Sequence, residues 1–156
     1  MRTHYDFIPA HLLTGSVLDV GCGDGSNQRM STNYPLLQAC DYTGIDTTLG
    51  TDVFSYEPHR TFNTVLAIHI IEHIPQERWP ELFERLKAWT AHTLVIGTPY
   101  RQSPTVYAGY KGPANQRHVV FGIDEDMICC YLSPVDVIHY QGPYSPSLMC
   151  IWRKKT

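Results

Sequence analysis

A glycine-rich turn that directly follows an apolar run constrains the fold of this chain more than any other feature of its sequence. The run at residues 17–20 leads into Gly-Cys-Gly-Asp-Gly at residues 21–25, after which Ser26 and Asn27 can cap a helix. Glycine permits sharp turns and a close approach of backbone to a ligand, and the N-terminus of a helix offers unpaired N–H groups. The order of strand, glycine turn and helix predicts a nucleotide-binding unit, with an ordinary tight turn as the alternative.

A carboxylate at the end of the next predicted strand strengthens that interpretation. Asp46 follows Gly25 by about twenty residues, the distance at which a carboxylate can accept the ribose hydroxyls of a bound nucleoside. Ser26 stands where a dinucleotide fingerprint has its third glycine or alanine. Asp19, just before the loop, would repel a pyrophosphate but attract a cationic ligand. These details favour S-adenosylmethionine over a dinucleotide.

Short apolar runs separated by turn residues recur along the whole chain. Strands are predicted at residues 16–20, 42–45, 64–68, 93–96, 135–140 and 148–152, and helices at 80–89, from 26 to before Pro35, and at 124–132. The first four strands hardly alternate, which is typical of a sheet buried on both faces. The pattern predicts an α/β fold in one domain over residues 1–156, with a Rossmann-like, mostly parallel sheet and helices on both faces.

The segment after Asp46 predicts a shortened version of this fold. Only five residues separate Asp46 from a short run at residues 52–54, whereas a helical crossover needs about a dozen. Either that strand is rudimentary or a helical layer is missing, so we expect some flanking helices to be absent. An uncovered sheet face or edge would favour a homodimer.

Composition excludes several classes of function. With 43% hydrophobic and 17% charged residues and no apolar stretch near the roughly 18 residues of a membrane span, no membrane anchor is expected. The five scattered cysteines predict reduced thiols and a cytoplasmic location. A formal net charge of −3 provides no field for long nucleic acid, which favours a small-molecule or short nucleotide-like substrate.

Four segments together resemble the class I S-adenosylmethionine-dependent methyltransferases. They are VLDVGCGDG (17–25), YTGIDTT (42–48), NTVLAIHIIEHIP (63–75) and LVIGTPY (94–100). The resemblance implies that the methionine moiety lies beside the glycine loop, the ribose at Asp46, the adenine near residues 52–54, and that Ile68 and His69 close the pocket. The cofactor-binding residues it implies are Asp19, Gly21, Cys22, Gly23, Gly25, Asp46, Thr47, Asp52, Val53, Phe54, Ile68 and His69.

A cluster of potential ligands follows the strand at residues 64–68. His69, Glu72 and His73 are spaced to share one side of a helical turn, and His118 from a distant loop would complete a metal site. This resembles the E-x-x-E-H and distant histidine of plant small-RNA 2′-O-methyltransferases and, more loosely, the ubiquinone-biosynthesis O-methyltransferases. In these families a divalent metal orients the acceptor hydroxyls. His69 in place of a glutamate favours zinc or another transition metal.

The alternative is a metal-free site. An acidic residue and a histidine then only brace the turn after the strand, and His69 or His73 acts as the general base.

Two further segments bear on the acceptor. Residues 67–70 read Ala-Ile-His-Ile, whereas the amine-directed family members carry Asn/Asp-Pro-Pro-Tyr there. The long loop at residues 98–118, rich in tyrosine and basic residues, is predicted to be a substrate lid. The sequence predicts an O-methyltransferase for a small hydroxylated or nucleotide-like acceptor. The alternatives are a module that only binds S-adenosylmethionine and an enzyme that cleaves it.

Overall fold

A single sheet runs through the computed structural model, which describes residues 2–156. Its strands are β1 (Ser16–Val20), β2 (Asp41–Ile45), β3 (Phe62–Ile68), β4 (Thr90–Pro99), β5 (Val135–Gln141) and β6 (Pro146–Arg153). They lie in the order β2-β1-β3-β4-β6-β5; β1 to β4 are parallel, and β6 is antiparallel to both of its neighbours. The predicted α/β fold with a mostly parallel, Rossmann-like sheet is confirmed.

Four short helices flank the sheet: α1 (Ser26–Met30), α2 (Tyr34–Ala39), α3 (Trp79–Trp89) and α4 (Glu125–Cys129). The helix predicted to end before Pro35 is α1, which already ends at Met30. Helix α2 was not predicted; it has Pro35 in its first turn, where proline fits well. Helix α4 is shorter than predicted; Asp124 caps it by accepting the Met127 N–H. None of the helices in the described part of the chain has the length and apolar character of a membrane span.

Both faces of the sheet are covered, but unequally. On one face, Trp79, Phe83 and Leu86 of α3 are fully buried against the sheet, and Ile128 of α4 adds to the same cluster. On the other face the cover comes from α2 and from two 3₁₀ turns near the N-terminus, His4–Phe7 and Ala10–Leu12. The N-terminal segment thus covers part of this face and reaches the carboxyl ends of the strands.

The connection between β2 and β3 is shortened, as the spacing predicted. Residues 52–54 form a turn rather than a strand, closed by the N–H groups of Ser55 and Tyr56 on the Asp52 carbonyl. The only helical structure described between the two strands is the three-residue 3₁₀ turn Thr47–Leu49. Both the strand and the helical layer are therefore missing here, and β2 becomes an edge strand.

Candidate functional site

A cleft of about 690 Å³ opens at the carboxyl ends of β1, β2 and β3. Strand β1 lies between the other two, so the chain connections diverge to either side of it. Ligands of open α/β sheets bind at such a point. The cleft therefore lies where the sequence analysis placed the ligand.

The glycine loop forms one wall of this cleft. Gly21 and Gly23 have φ angles of +76° and +59°, a left-handed conformation that glycine adopts without strain. The N–H groups of Gly21 and Cys22 both donate to the Ile45 carbonyl, at 2.8 and 3.2 Å, which ties the loop to the end of β2. A Cβ atom on Gly21 would lie 3.2 Å from the Ile70 side chain, so little room remains between the loop and the next strand end.

Asp46 presents its carboxylate beside this loop. The Gly23 N–H donates to Oδ2 at 2.9 Å, while the Thr48 N–H and hydroxyl donate to Oδ1 at 2.8 and 2.7 Å. Because a carboxylate oxygen has two acceptor sites, Oδ2 retains one, and the Thr48 hydroxyl can exchange its bond. Asp46 is thus held in place with acceptor capacity for hydroxyl groups.

Asp19 lies behind the loop instead of in the cleft. It is fully buried and accepts hydrogen bonds from Tyr5, Gln28 and Tyr42, the shortest of them 2.6 Å from the Tyr42 hydroxyl. Burial raises the pKa of Asp19 to about 6, and these hydrogen bonds oppose that rise. The structure therefore does not bring Asp19 into the cleft with the other predicted cofactor residues. Its oxygens accept hydrogen bonds from protein groups instead.

Most of the other predicted cofactor residues come together. Gly25 lies outside the wall, since its position caps α1 on the far side of the loop. The predicted residues that line the cleft are Gly21, Cys22, Gly23, Asp46, Thr47, Asp52, Val53, Phe54, Ile68 and His69.

His69 ends β3 in a left-handed conformation, with φ +56°, which is uncommon for a residue other than glycine and typical of functional positions. Its Nε2 lies 3.0 Å from Nδ1 of His4, and its Nδ1 lies 2.9 Å from Oε1 of Glu72. Apart from this second contact, Glu72 Oε1 has no hydrogen-bond partner among the described residues. Both ring nitrogens of His69 therefore face protein groups.

Glu72 is buried, with 1% exposure, and its Oε2 accepts the Thr98 hydroxyl at 3.1 Å. Burial raises the pKa of Glu72, but attraction to His69 and His73 outweighs this and holds that pKa below its usual value. The carboxylate is therefore ionised at neutral pH. The N–H groups of Val119 and Val120 donate to the Glu72 carbonyl and so bring His118 alongside it.

Three of the four predicted metal ligands converge. One potential ligand atom from each of Glu72, His73 and His118 lies within 4.8 Å of the other two. His73 Nδ1 lies 3.2 Å from the Arg117 carbonyl, which can only accept, so Nδ1 carries a proton and Nε2 is the acceptor in the neutral ring. Burial lowers the pKa of His118, which favours its neutral form. His69 lies beside this group rather than in it.

Several cleft residues escaped the sequence analysis. The N-terminal segment contributes His4 and Tyr5, and the turn between β5 and β6 contributes Tyr144. Asp6 and Asn33 anchor that segment: Asp6 accepts the Thr32 N–H, and Asn33 donates to the Tyr5 carbonyl at 2.8 Å. These contacts join residues far apart in the chain, so no local sequence pattern predicts them.

The predicted lid contributes less than expected. Of the described side chains in the loop at residues 98–118, those of Gln116 and His118 line the cleft. Tyr107 and Tyr110 pack on each other, with ring centroids 4.9 Å apart, and Tyr107 also packs on His118. The loop tyrosines therefore support His118 instead of facing the cleft.

Comparison with known proteins agrees with this geometry. A family model described as a methyltransferase domain matches residues 2–127. A search of curated proteins found no match.

Solved structures share the fold at low sequence identity. N-methyltransferase NodS from Bradyrhizobium japonicum, in complex with S-adenosylhomocysteine, has 16% identity and a TM-score of 0.67 over 94% of this chain and 84% of its own. Magnesium protoporphyrin IX methyltransferase ChlM from Synechocystis, also with S-adenosylhomocysteine, has 17% identity and a TM-score of 0.65, over 92% and 75%. A Burkholderia thailandensis 1,6-didemethyltoxoflavin-N1-methyltransferase has 20% identity and a TM-score of 0.65, over 94% and 74%.

The packing of the glycine loop on β2 can be tested at Gly44. A Cβ atom there would lie 2.7 Å from the sulfur of Cys22, so the loop must shift. We expect Gly44→Ala to lower the free energy of unfolding by about 1–3 kcal/mol. In Cys22→Ala/Gly44→Ala the sulfur is gone, and most of that loss should be recovered. Urea unfolding of the four proteins gives the coupling energy, and additive losses would contradict the contact.

Proposed function

Because the chain belongs to the methyltransferase domain family and has the Rossmann-like fold of S-adenosylmethionine-dependent methyltransferases, we propose that it methylates a hydroxyl group of a small molecule bound in this cleft. The observation that carries the proposal is the Asp46 carboxylate, held beside the glycine loop with acceptor capacity to spare. The Burkholderia thailandensis relative holds a small molecule, 1,6-didemethyltoxoflavin, together with S-adenosylhomocysteine.

The residues around Asp46 fit the nucleoside of S-adenosylmethionine. Asp46 would accept the ribose hydroxyls, and Val53 and Phe54 offer apolar surface to the adenine. The guanidinium of Arg78 lies 3.4 Å from the centre of the Phe54 ring and steadies that ring from one side. Gly23 lines the cleft with open space where its side chain would be, so backbone can approach a ligand closely.

When bound, S-adenosylmethionine supplies a sulfonium methyl group, and the acceptor oxygen forms its new C–O bond as the S–C bond breaks. The proton of the acceptor hydroxyl needs a base, and His69 and His73 both line the cleft. His73 is the better candidate, because its proton is fixed on Nδ1 by the Arg117 carbonyl and Nε2 is left to accept. His69 has protein groups at both nitrogens and is the second candidate.

Three other outcomes are distinguishable from oxygen methylation. NodS and the Burkholderia thailandensis relative are N-methyltransferases, and cofactor binding alone and cofactor cleavage are the two further alternatives. Incubation with S-adenosylmethionine labelled in its methyl group, with hydroxylated and amino acceptors offered in parallel, separates them. We expect label in a methyl ether. Label in an N-methyl product, in a cofactor fragment, or only in intact cofactor would each contradict the proposal.

The ribose assignment predicts a loss of affinity in Asp46→Ala. Removal of charge-assisted hydrogen bonds to the ribose should cost on the order of 1.5–3 kcal/mol of binding free energy for S-adenosylhomocysteine, measured by calorimetry. Asp24→Ala is the matched control, since Asp24 is an exposed carboxylate in the same loop and outside the cleft. Unchanged affinity in Asp46→Ala, or an equal loss in Asp24→Ala, would remove the assignment, provided that both variants melt like the parent protein.

A metal-assisted reaction is the second candidate. It is favoured because potential metal-ligand atoms of Glu72, His73 and His118 lie within 4.8 Å of one another. Glu72 Oε1 is buried, with His69 Nδ1 at 2.9 Å and His118 Nε2 at 4.0 Å as neighbours. A carboxylate and two imidazoles that lie this close together are a ligand set that suits a zinc or related transition-metal ion. An ion there would lower the pKa of the acceptor hydroxyl and orient it, so that His69 would serve as the base.

Chelation separates the two mechanisms. With a metal, EDTA and His118→Ala should each abolish turnover while the affinity for S-adenosylhomocysteine survives, and added zinc, manganese or cobalt should restore the chelated enzyme. His139→Ala is the control, because His139 is half exposed on β5 and pairs with Glu125 away from the cleft. Full activity after exhaustive chelation, without stoichiometric metal in elemental analysis, would leave the metal-free mechanism.

The assembly and location of the protein are part of the same proposal. The edge position of β2, which pairs only with β1 in the described sheet, supports a homodimer. The five free cysteines support a cytoplasmic location.

A further inference from the structure

The part of the cleft beyond β1 is lined by rings rather than by charges. We call this part the acceptor seat; its walls are His4, Ile68, His69, His73, Gln116, His118 and Tyr144. Apart from histidines, the described residues with ionisable, charge-bearing side chains in the cleft wall are Asp46, Asp52 and Arg78. These three belong to the nucleoside end, where Arg78 is committed to the Phe54 ring. The acceptor seat therefore has no fixed charge in its wall.

The walls of the acceptor seat are held in place before any ligand binds. The rings of His4 and His69 lie against each other, with centroids 3.6 Å apart, and the Tyr140 hydroxyl lies 3.1 Å from His4 Nδ1. A Cβ atom on Gly142 would lie 2.7 Å from His4 Cε1, so the turn between β5 and β6 abuts His4 directly. That turn carries Tyr144, whose side chain is 85% exposed at the mouth of the cleft.

We propose that the acceptor seat binds a planar, uncharged aromatic ring that carries the hydroxyl to be methylated, which rests on the proposed methyl transfer. Stacked or edge-to-face rings gain about 0.5–1.5 kcal/mol beyond their buried area. A phosphate-bearing acceptor finds no lysine or arginine among the described residues of this wall, because Arg101, Lys111 and Arg117 are exposed on the loop outside it. A sugar would gain less than an aromatic ring, because it has no π face to stack on these rings.

Three matched probes test the charge and the planarity of the acceptor. 2-Naphthol has an uncharged planar ring, 2-naphthyl phosphate adds charge to the same ring, and decahydro-2-naphthol keeps the carbon skeleton and hydroxyl without planarity. Each is titrated into the protein saturated with S-adenosylhomocysteine, by calorimetry and by ligand-observed NMR. We expect 2-naphthol to bind at least several-fold more tightly than either comparator. Equal or weaker binding of 2-naphthol, or no binding of any probe, would overturn the proposal.

Variants at the mouth test where the ring lies. Tyr144→Ala should weaken 2-naphthol binding by about 2- to 10-fold, the loss of one ring contact. Tyr144→Phe should keep the parent affinity within about twofold, since the ring remains. Tyr34→Ala is the control, because Tyr34 is a half-buried tyrosine of α2 outside the cleft wall. Tight 2-naphthol binding that is unaffected by Tyr144→Ala would place the ring elsewhere and reject the acceptor seat.

The affinity for S-adenosylhomocysteine keeps this inference separate from the proposed function. If that affinity is absent in the parent protein, the proposed function fails before any probe is added. If S-adenosylhomocysteine binds and the probes do not discriminate, only the inference about the acceptor fails. A repeat with EDTA should give the same order of probe affinities, because the ring contacts do not involve a metal.

Discussion

The buried carboxylate of Asp19 is the interaction on which the rest of the site depends. A charge out of contact with water is costly unless donors surround it, and here the donors come from three different elements. Tyr5 belongs to the N-terminal segment, Gln28 to α1 and Tyr42 to β2. Gln28 also donates to the Cys22 carbonyl at 3.0 Å. One buried group thereby joins the glycine loop to the segment that places His4 in the acceptor seat.

The parts of the site that could be predicted from the sequence are those formed by residues close together in the chain. The glycine loop and Asp46 follow directly on strands, and short hydrogen bonds such as that from Thr48 to Asp46 complete them locally. His4 and Tyr144 are different, because their positions depend on contacts across the whole chain. The contact between His4 and Tyr140 joins residues 136 positions apart. No periodicity or turn signal encodes such a contact, so sequence analysis could not find this wall.

The histidine spacing shows why a correct motif can still give an incorrect geometry. The spacing of His69, Glu72 and His73 predicts one shared side only if the turn is α-helical. The structure has a 3₁₀ turn over Ile71–His73, preceded by the left-handed His69. Because His69 lies outside that turn, the helical spacing does not hold across the three residues. His69 Nδ1 contacts Glu72, and the His73 ring packs on His118.

Because the connection after β2 is short, fewer elements are left to hold Asp46 and to contact the acceptor. No strand follows Asp46 in the described connection to β3, but its carboxylate is still held in place. The Gly23 N–H and the Thr48 hydroxyl donate hydrogen bonds to it. The cleft thus keeps Asp46 in its wall although the described connection after β2 has neither the strand nor the helical layer. Acceptor recognition has fewer elements left to use, since α4 lies on the opposite face from the N-terminal segment. Two short pieces of chain, the N-terminal segment and the turn at residues 142–145, therefore contribute walls of the acceptor seat, and they pack on each other at Gly142.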